Sequence, residues 1–86
     1  MPRISEFYGI QIYMYYNDHN PHHFHAEYAE HEATYRIAGL ESLTGALPRR
    51  ARTLVGEWAS IHRSELLDNW DKARRGEPLQ EIEPLI

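Results

Sequence analysis

The sequence contains no cysteine. That excludes disulfide cross-links and every zinc site built on thiolates. Small secreted domains usually depend on such cross-links, so a cytoplasmic protein is expected. No apolar run approaches the ~20 residues a membrane-spanning helix needs. The opening Met1-Pro2-Arg3-Ile4-Ser5-Glu6 lacks the apolar stretch of a signal peptide. Positive charge is also short. Nine Lys and Arg face thirteen Asp and Glu, for a formal charge of -4. Nucleic-acid binding through overall charge is therefore disfavoured, although a local basic patch can still bind it. There is no Gly-rich phosphate loop, no H-E-x-x-H helix, and no serine in a recognisable nucleophile context.

The 86 residues present suffice for one domain. Two halves differ in pattern. Up to about residue 43, β-branched and aromatic residues alternate with polar ones. Ile4 to Tyr8 and Ile10 to Tyr16 read as strands joined at Gly9, with Ile10, Ile12, Met14 and Tyr16 on one face and Tyr13 and Tyr15 on the other. Asn17-Asp18-His19-Asn20-Pro21 is a dense turn signal. His22 to Tyr28 resumes the alternation, with His23, His25 and Glu27 on one face. A turn at Ala29-Glu30-His31, a strand over Ala33 to Ile37 and a short fifth strand over Leu40 to Leu43 complete the half.

Residues 48–75 read as helical, with Pro48 at the first helical position. Ala51, Leu54, Val55, Trp58 and Ile61 form one apolar stripe, and Leu66, Leu67, Trp70 and Ala73 a second. The stripes drift out of phase at ~100° per residue, which predicts a kink near Arg63-Ser64 with Ser64 as a second N-cap. Gly76 and Pro78 end the segment, and the extended tail 77–86 carries enough apolar residues to dock on the body. The expected architecture is α+β: an antiparallel sheet of four or five strands (about 3–43) with one bent helix or two consecutive helices across one face. Trp58 and Trp70 are expected to anchor the core.

Four of the six histidines lie between His19 and His25. His23 and His25, two apart on a strand, project from the same face, an arrangement that suits zinc, nickel or copper. His19, in the preceding turn, can swing in as a third ligand. Asp18 or Glu27 can supply a carboxylate, either to the metal or behind an imidazole. The same histidines, with Asp18, can instead divide acid and base roles in cleaving a phosphodiester. Replacing His23 and His25 is expected to cost within about 0.5 kcal/mol, as hydrophilic edge positions do. His22 and His31 are read as solvated, and His62 as a satisfied residue at the core edge.

Arg49, Arg50 and Arg52 crowd a helix N-terminus, where cations are disfavoured by about 0.3–1 kcal/mol each. They ask for an anion, either a carboxylate such as Glu41 or a bound phosphate. Arg36 can join them. If the sheet brings these arginines beside His23 and His25, the site suits RNA or a nucleotide.

Taken together, these elements resemble domain-of-unknown-function family 4160, a group of small bacterial proteins, over nearly the whole chain. The matching features are Pro2-x-Ile4, Asp18-His19-x-Pro21-x-His23-x-His25, Gly45-x-Leu47-Pro48, Trp58 and Leu66-Leu67-x-x-Trp70. The resemblance implies the toxin of a type II toxin–antitoxin pair. The implied partner is a small antitoxin similar to domain-of-unknown-function family 2442. Three functions follow, in order of expectation: such a toxin acting on RNA or a nucleotide, a His-ligated metal-binding domain holding zinc or nickel, and a non-catalytic interaction module. If the chain is an enzyme, it is ribonuclease-like or a metal-dependent hydrolase. A homodimer is compatible with the sequence.

Overall fold

The computed structural model describes residues 2–86. Five strands come first: β1 (Arg3–Phe7), β2 (Ile10–Tyr13), β3 (His23–Tyr28), β4 (His31–Arg36) and β5 (Ser42–Gly45). They pair antiparallel in simple chain order, β1-β2-β3-β4-β5. Two helices follow, α1 (Arg49–Ile61) and α2 (Arg63–Arg74). The fold is the expected α+β arrangement, with five strands rather than four.

The period-two pattern decides which sheet face the helices cover. Ile10, Ile12, Met14, Phe24, Ala26, Ala33, Tyr35 and Ile37 are buried. They pack with Ala51, Val55, Trp58, Ala59, Leu66 and Trp70 of the helices into one core. The register places Ile12 opposite Ala26 and Ala26 opposite Ala33, so the apolar face is continuous across β2, β3 and β4. Tyr13, His25 and Thr34 are likewise in register, and by alternation they lie on the opposite face. Both tryptophans are core anchors. Phe7 and Phe24 lie 5.3 and 6.0 Å from Trp58 by ring centroid.

Several boundaries differ from expectation. β2 stops at Tyr13, so Tyr16 belongs to a loop and is exposed. β4 begins at His31, because the β3–β4 turn is a tight one in which Ala29 takes a positive φ of 53°. β5 starts at Ser42 and runs to Gly45, two residues later than read from the sequence. Gly45 is required there: its φ is +70°, and a Cβ would meet the Glu32 carbonyl at 2.2 Å. Pro48 caps α1 instead of being its first residue. The helix break falls at His62, not at Ser64. His62 leaves helical geometry with φ -111° and ψ 25°, and its Nδ1 lies 2.5 Å from a Glu65 carboxylate oxygen. Breaking there leaves Ile61 exposed at the end of α1 and Leu67 only partly covered, so neither completes its stripe.

The tail docks, as its composition suggested. Ile82 is buried, and its N–H donates to the Ile4 carbonyl at the outer edge of β1 (2.7 Å). Buried Asn69 clamps Gln80 twice, donating to its carbonyl at 2.8 Å and accepting from its N–H at 2.9 Å. Trp58 Nε1 donates to the Glu83 carbonyl (2.8 Å). Among the described residues no helix is long and apolar enough to cross a membrane.

Candidate metal centre

The loop between β2 and β3 turns on polar residues. Asn17 adopts a positive φ of 55°, a conformation Asn tolerates better than most residues. The Asp18 carboxylate then accepts the backbone N–H of His19 at 2.9 Å, which fixes the side chain over the start of β3. His23 and His25, on one face of β3, meet it there. Asp18 Oδ2 lies 3.0 Å from His23 Nε2 and 3.1 Å from His25 Nε2. One ligand-type atom from each of the three residues lies within 4.8 Å of the others.

The tautomer of His23 follows from its other ring nitrogen. Nδ1 lies 2.6 Å from the Pro21 carbonyl, which can only accept, so Nδ1 carries a proton. In the neutral ring Nε2 is then a lone pair aimed at the Asp18 carboxylate. A backbone carbonyl holding the far nitrogen of a metal-ligating imidazole is the usual supporting arrangement. Burial reinforces it. His23 is only 2% exposed, with Trp70 of α2 at 5.3 Å. His22 stacks on the same indole at 4.9 Å. Arg74 of α2 donates to the Asn20 side chain at 3.4 Å, tying the helix to the loop. The Tyr15 ring meets His25 edge-on at 4.3 Å. Partial burial works to raise the Asp18 pKa, but hydrogen bonds from His25 and the His19 N–H and the nearby imidazoles outweigh it, and the carboxyl is held below its ordinary value.

Of the five loop and strand residues singled out in the sequence, Asp18, His23 and His25 converge. His19 does not join them. Its side chain is 83% exposed and its Nδ1 faces the Asn20 carbonyl (3.0 Å), although its ring passes 5.2 Å from that of His23. Asp18 holds the third position instead. Glu27 lies one pleat further along β3, outside the cluster. His22 is exposed, as read from the sequence, with one side of its ring stacked on Trp70.

Of the arginines singled out in the sequence, only Arg36 comes beside an imidazole, as the direct partner of His23 across β3 and β4. Arg36 pairs with Glu41, at 2.9 Å through Nε and 2.8 Å through Nη2. Glu41 is thus committed to β4 and does not neutralise the α1 terminus. Arg49 and Arg50 flank a shallow hollow with Thr53 and Leu54, and Arg52 lies over Phe24 and Tyr35. All three sit on α1, which covers the Phe24 and Tyr35 face of the sheet, whereas His25 projects from the other face. Tyr15 and Trp70 were not foreseen as neighbours of the histidines. The Tyr13–Tyr15 alternation carried the signal for the first. Nothing local carried one for the second, because α2 reaches the loop only through the folded core.

Neither among curated proteins nor among solved structures does any match the chain. A family model described as a domain of unknown function, DUF4160, matches residues 9–71. That stretch contains Asp18, His23, His25, Trp58 and Trp70 but not the opening Pro2-x-Ile4 or the tail. The chain belongs to the DUF4160 family.

Proposed function

We propose that this protein binds a divalent transition metal, zinc or nickel, through Asp18 Oδ2, His23 Nε2 and His25 Nε2. One observation carries the reading: the Pro21 carbonyl fixes the His23 tautomer, so that its lone pair and a second imidazole nitrogen both meet one Asp18 carboxylate oxygen. Such a cluster can hold a cation at its centre. A metal satisfies all three atoms. The spacing suits one: with bonds of about 2.1 Å, neighbouring ligands at right angles lie about 3.0 Å apart and tetrahedral ones about 3.4 Å, beside the 3.0 and 3.1 Å found here.

Three protein ligands leave at least one coordination position open, as in catalytic rather than structural zinc sites. A metal so held polarises a carbonyl or lowers the pKa of bound water, so the chemistry this reading favours is hydrolytic. In the toxin role implied by the resemblance, this centre is the harmful part, and a small antitoxin would neutralise the protein by covering it.

The test is metal analysis of untagged protein after zinc loading and dialysis, with nickel titration followed by tryptophan fluorescence. Trp70 lies against His23 and His22, so bound nickel should quench it. One equivalent of zinc in the wild type and none in Asp18→Asn is expected. Wild-type protein that retains no metal and shows no saturable quenching refutes the proposal.

A further inference from the structure

The proposed metal centre opens at His25 into a groove of about 410 Å³ on the uncovered sheet face. Tyr15, Glu27, Glu32, Thr34 and Thr44 line it with His25. Ala33 and Gly45 complete the lining, and Thr34 and Thr44 are drawn together by a 2.8 Å hydrogen bond between their hydroxyls.

Its charge is one-sided. Glu27 and Glu32 are direct partners across β3 and β4, an arrangement that like charges disfavour. Among the described residues neither carboxylate has an ion-pair partner, and no Lys or Arg lines the groove. The Tyr15 hydroxyl registers the same field. Its pKa is raised by burial first and by the charges of Glu27 and Glu32 next. Of the arginines near this end of the sheet, Arg36 is paired with Glu41 and Arg74 of α2 is turned to the Asn20 side chain, while those of α1 lie across the sheet. A polyanion entering this face would meet two carboxylates before it met the metal ligands.

Resting on the metal reading above, we propose that the groove takes a lysine- or arginine-bearing peptide segment and not nucleic acid. A peptide carbonyl would reach the open side of the centre, and the basic side chain would lie between Glu27 and Glu32. Glu27 is two residues from His25 along the strand, about 7 Å at the usual rise. That is about the reach of an extended lysine or arginine side chain. The free outer edge of β5, whose residues are all exposed, leaves room for the peptide backbone beside Thr44.

The experiment is fluorescence anisotropy on zinc-loaded protein with three labelled probes: an N-acetylated peptide centred on lysine, its glutamate analogue, and a short single-stranded RNA. The variants are Glu27→Gln/Glu32→Gln and, as a control of equal charge change, Glu57→Gln/Glu81→Gln. Binding of the lysine peptide, weakened at least tenfold in the groove variant and unchanged in the control, is expected, with no binding of the other two probes. Equal loss in both variants, indifference to Glu27 and Glu32, or preferential RNA binding overturns the proposal. Zinc stoichiometry is read on the same samples. If zinc fails to bind, the metal reading falls by itself, and dependence of peptide binding on Glu27 and Glu32 in the metal-free protein still decides this one.

Discussion

His23 and His25 look equivalent in the sequence, and the structure makes them energetically different. In metal-free buffer, His23→Ala should destabilise the protein by about 3 kcal/mol, the low end of the summed effects. Two effects add. The Pro21 carbonyl loses its 2.6 Å donor in a partly buried setting, which costs about 1 kcal/mol, the low end for an unpaired group. The vanished ring also leaves a void beside Trp70, and buried large-to-small changes cost about 2–5 kcal/mol when the site cannot collapse. His25 is partly exposed and loses a hydrogen bond to Asp18 and one edge contact with Tyr15, so His25→Ala should cost about 0.5–1.5 kcal/mol. At about 4–8 °C per kcal/mol for a domain of this size, the melting temperatures should fall by roughly 12–24 °C and 2–12 °C respectively. Circular dichroism melts with a chelator present measure both. The premise of tolerance within about 0.5 kcal/mol, a hydrophilic edge position, does not apply to His23, which is buried. Equal, small losses in the two variants would refute the argument, because they would mean that His23 is neither anchored by Pro21 nor packed on Trp70. The practical consequence is that Asp18→Asn and His25→Ala, not His23→Ala, are the clean probes of function.

Zinc at about 100 times its dissociation constant should stabilise the wild type by about 2.7 kcal/mol and Asp18→Asn by almost nothing; an identical upward shift of melting temperature in both would place the metal elsewhere. Trp58→Ala should cost about 3–5 kcal/mol, since the indole is fully buried and its Nε1 holds the tail at Glu83; urea denaturation showing a near-neutral effect would mean that α1 does not pack as described. Asn69→Leu removes both hydrogen bonds to Gln80 and should cost about 1–3 kcal/mol. It should also raise hydrogen exchange at Ile82, whose N–H pairs with β1, and unchanged protection at Ile82 would show that the tail is held without Asn69.

Much of the architecture was legible locally. Period-two alternation over Ile10–Met14 and His23–Tyr28 is a statement about which side chains share a face, and the pleat enforces it. The tryptophan positions followed from helical spacing for the same reason. Boundaries were less legible. Whether His62 or Ser64 breaks the helix depends on how each stripe meets the sheet and on the His62–Glu65 contact, not on capping preference alone.

For the site, the sequence by itself determined that His23 and His25 project together and that a polar turn bearing Asp18 precedes them, because these are consequences of strand geometry and of chain proximity. Only the tertiary structure decided the rest. It selected Asp18 over His19 as the third converging group, because the His19 N–H ties the carboxylate in while the His19 ring turns to solvent. It buried His23 under a helix some fifty residues away in sequence, against Trp70. It also carried the α1 arginines to the far side of the sheet, since the apolar stripe that fixes α1 must face Phe24 and Tyr35. The alternation that points those residues inward points His25, Glu27 and Thr34 outward.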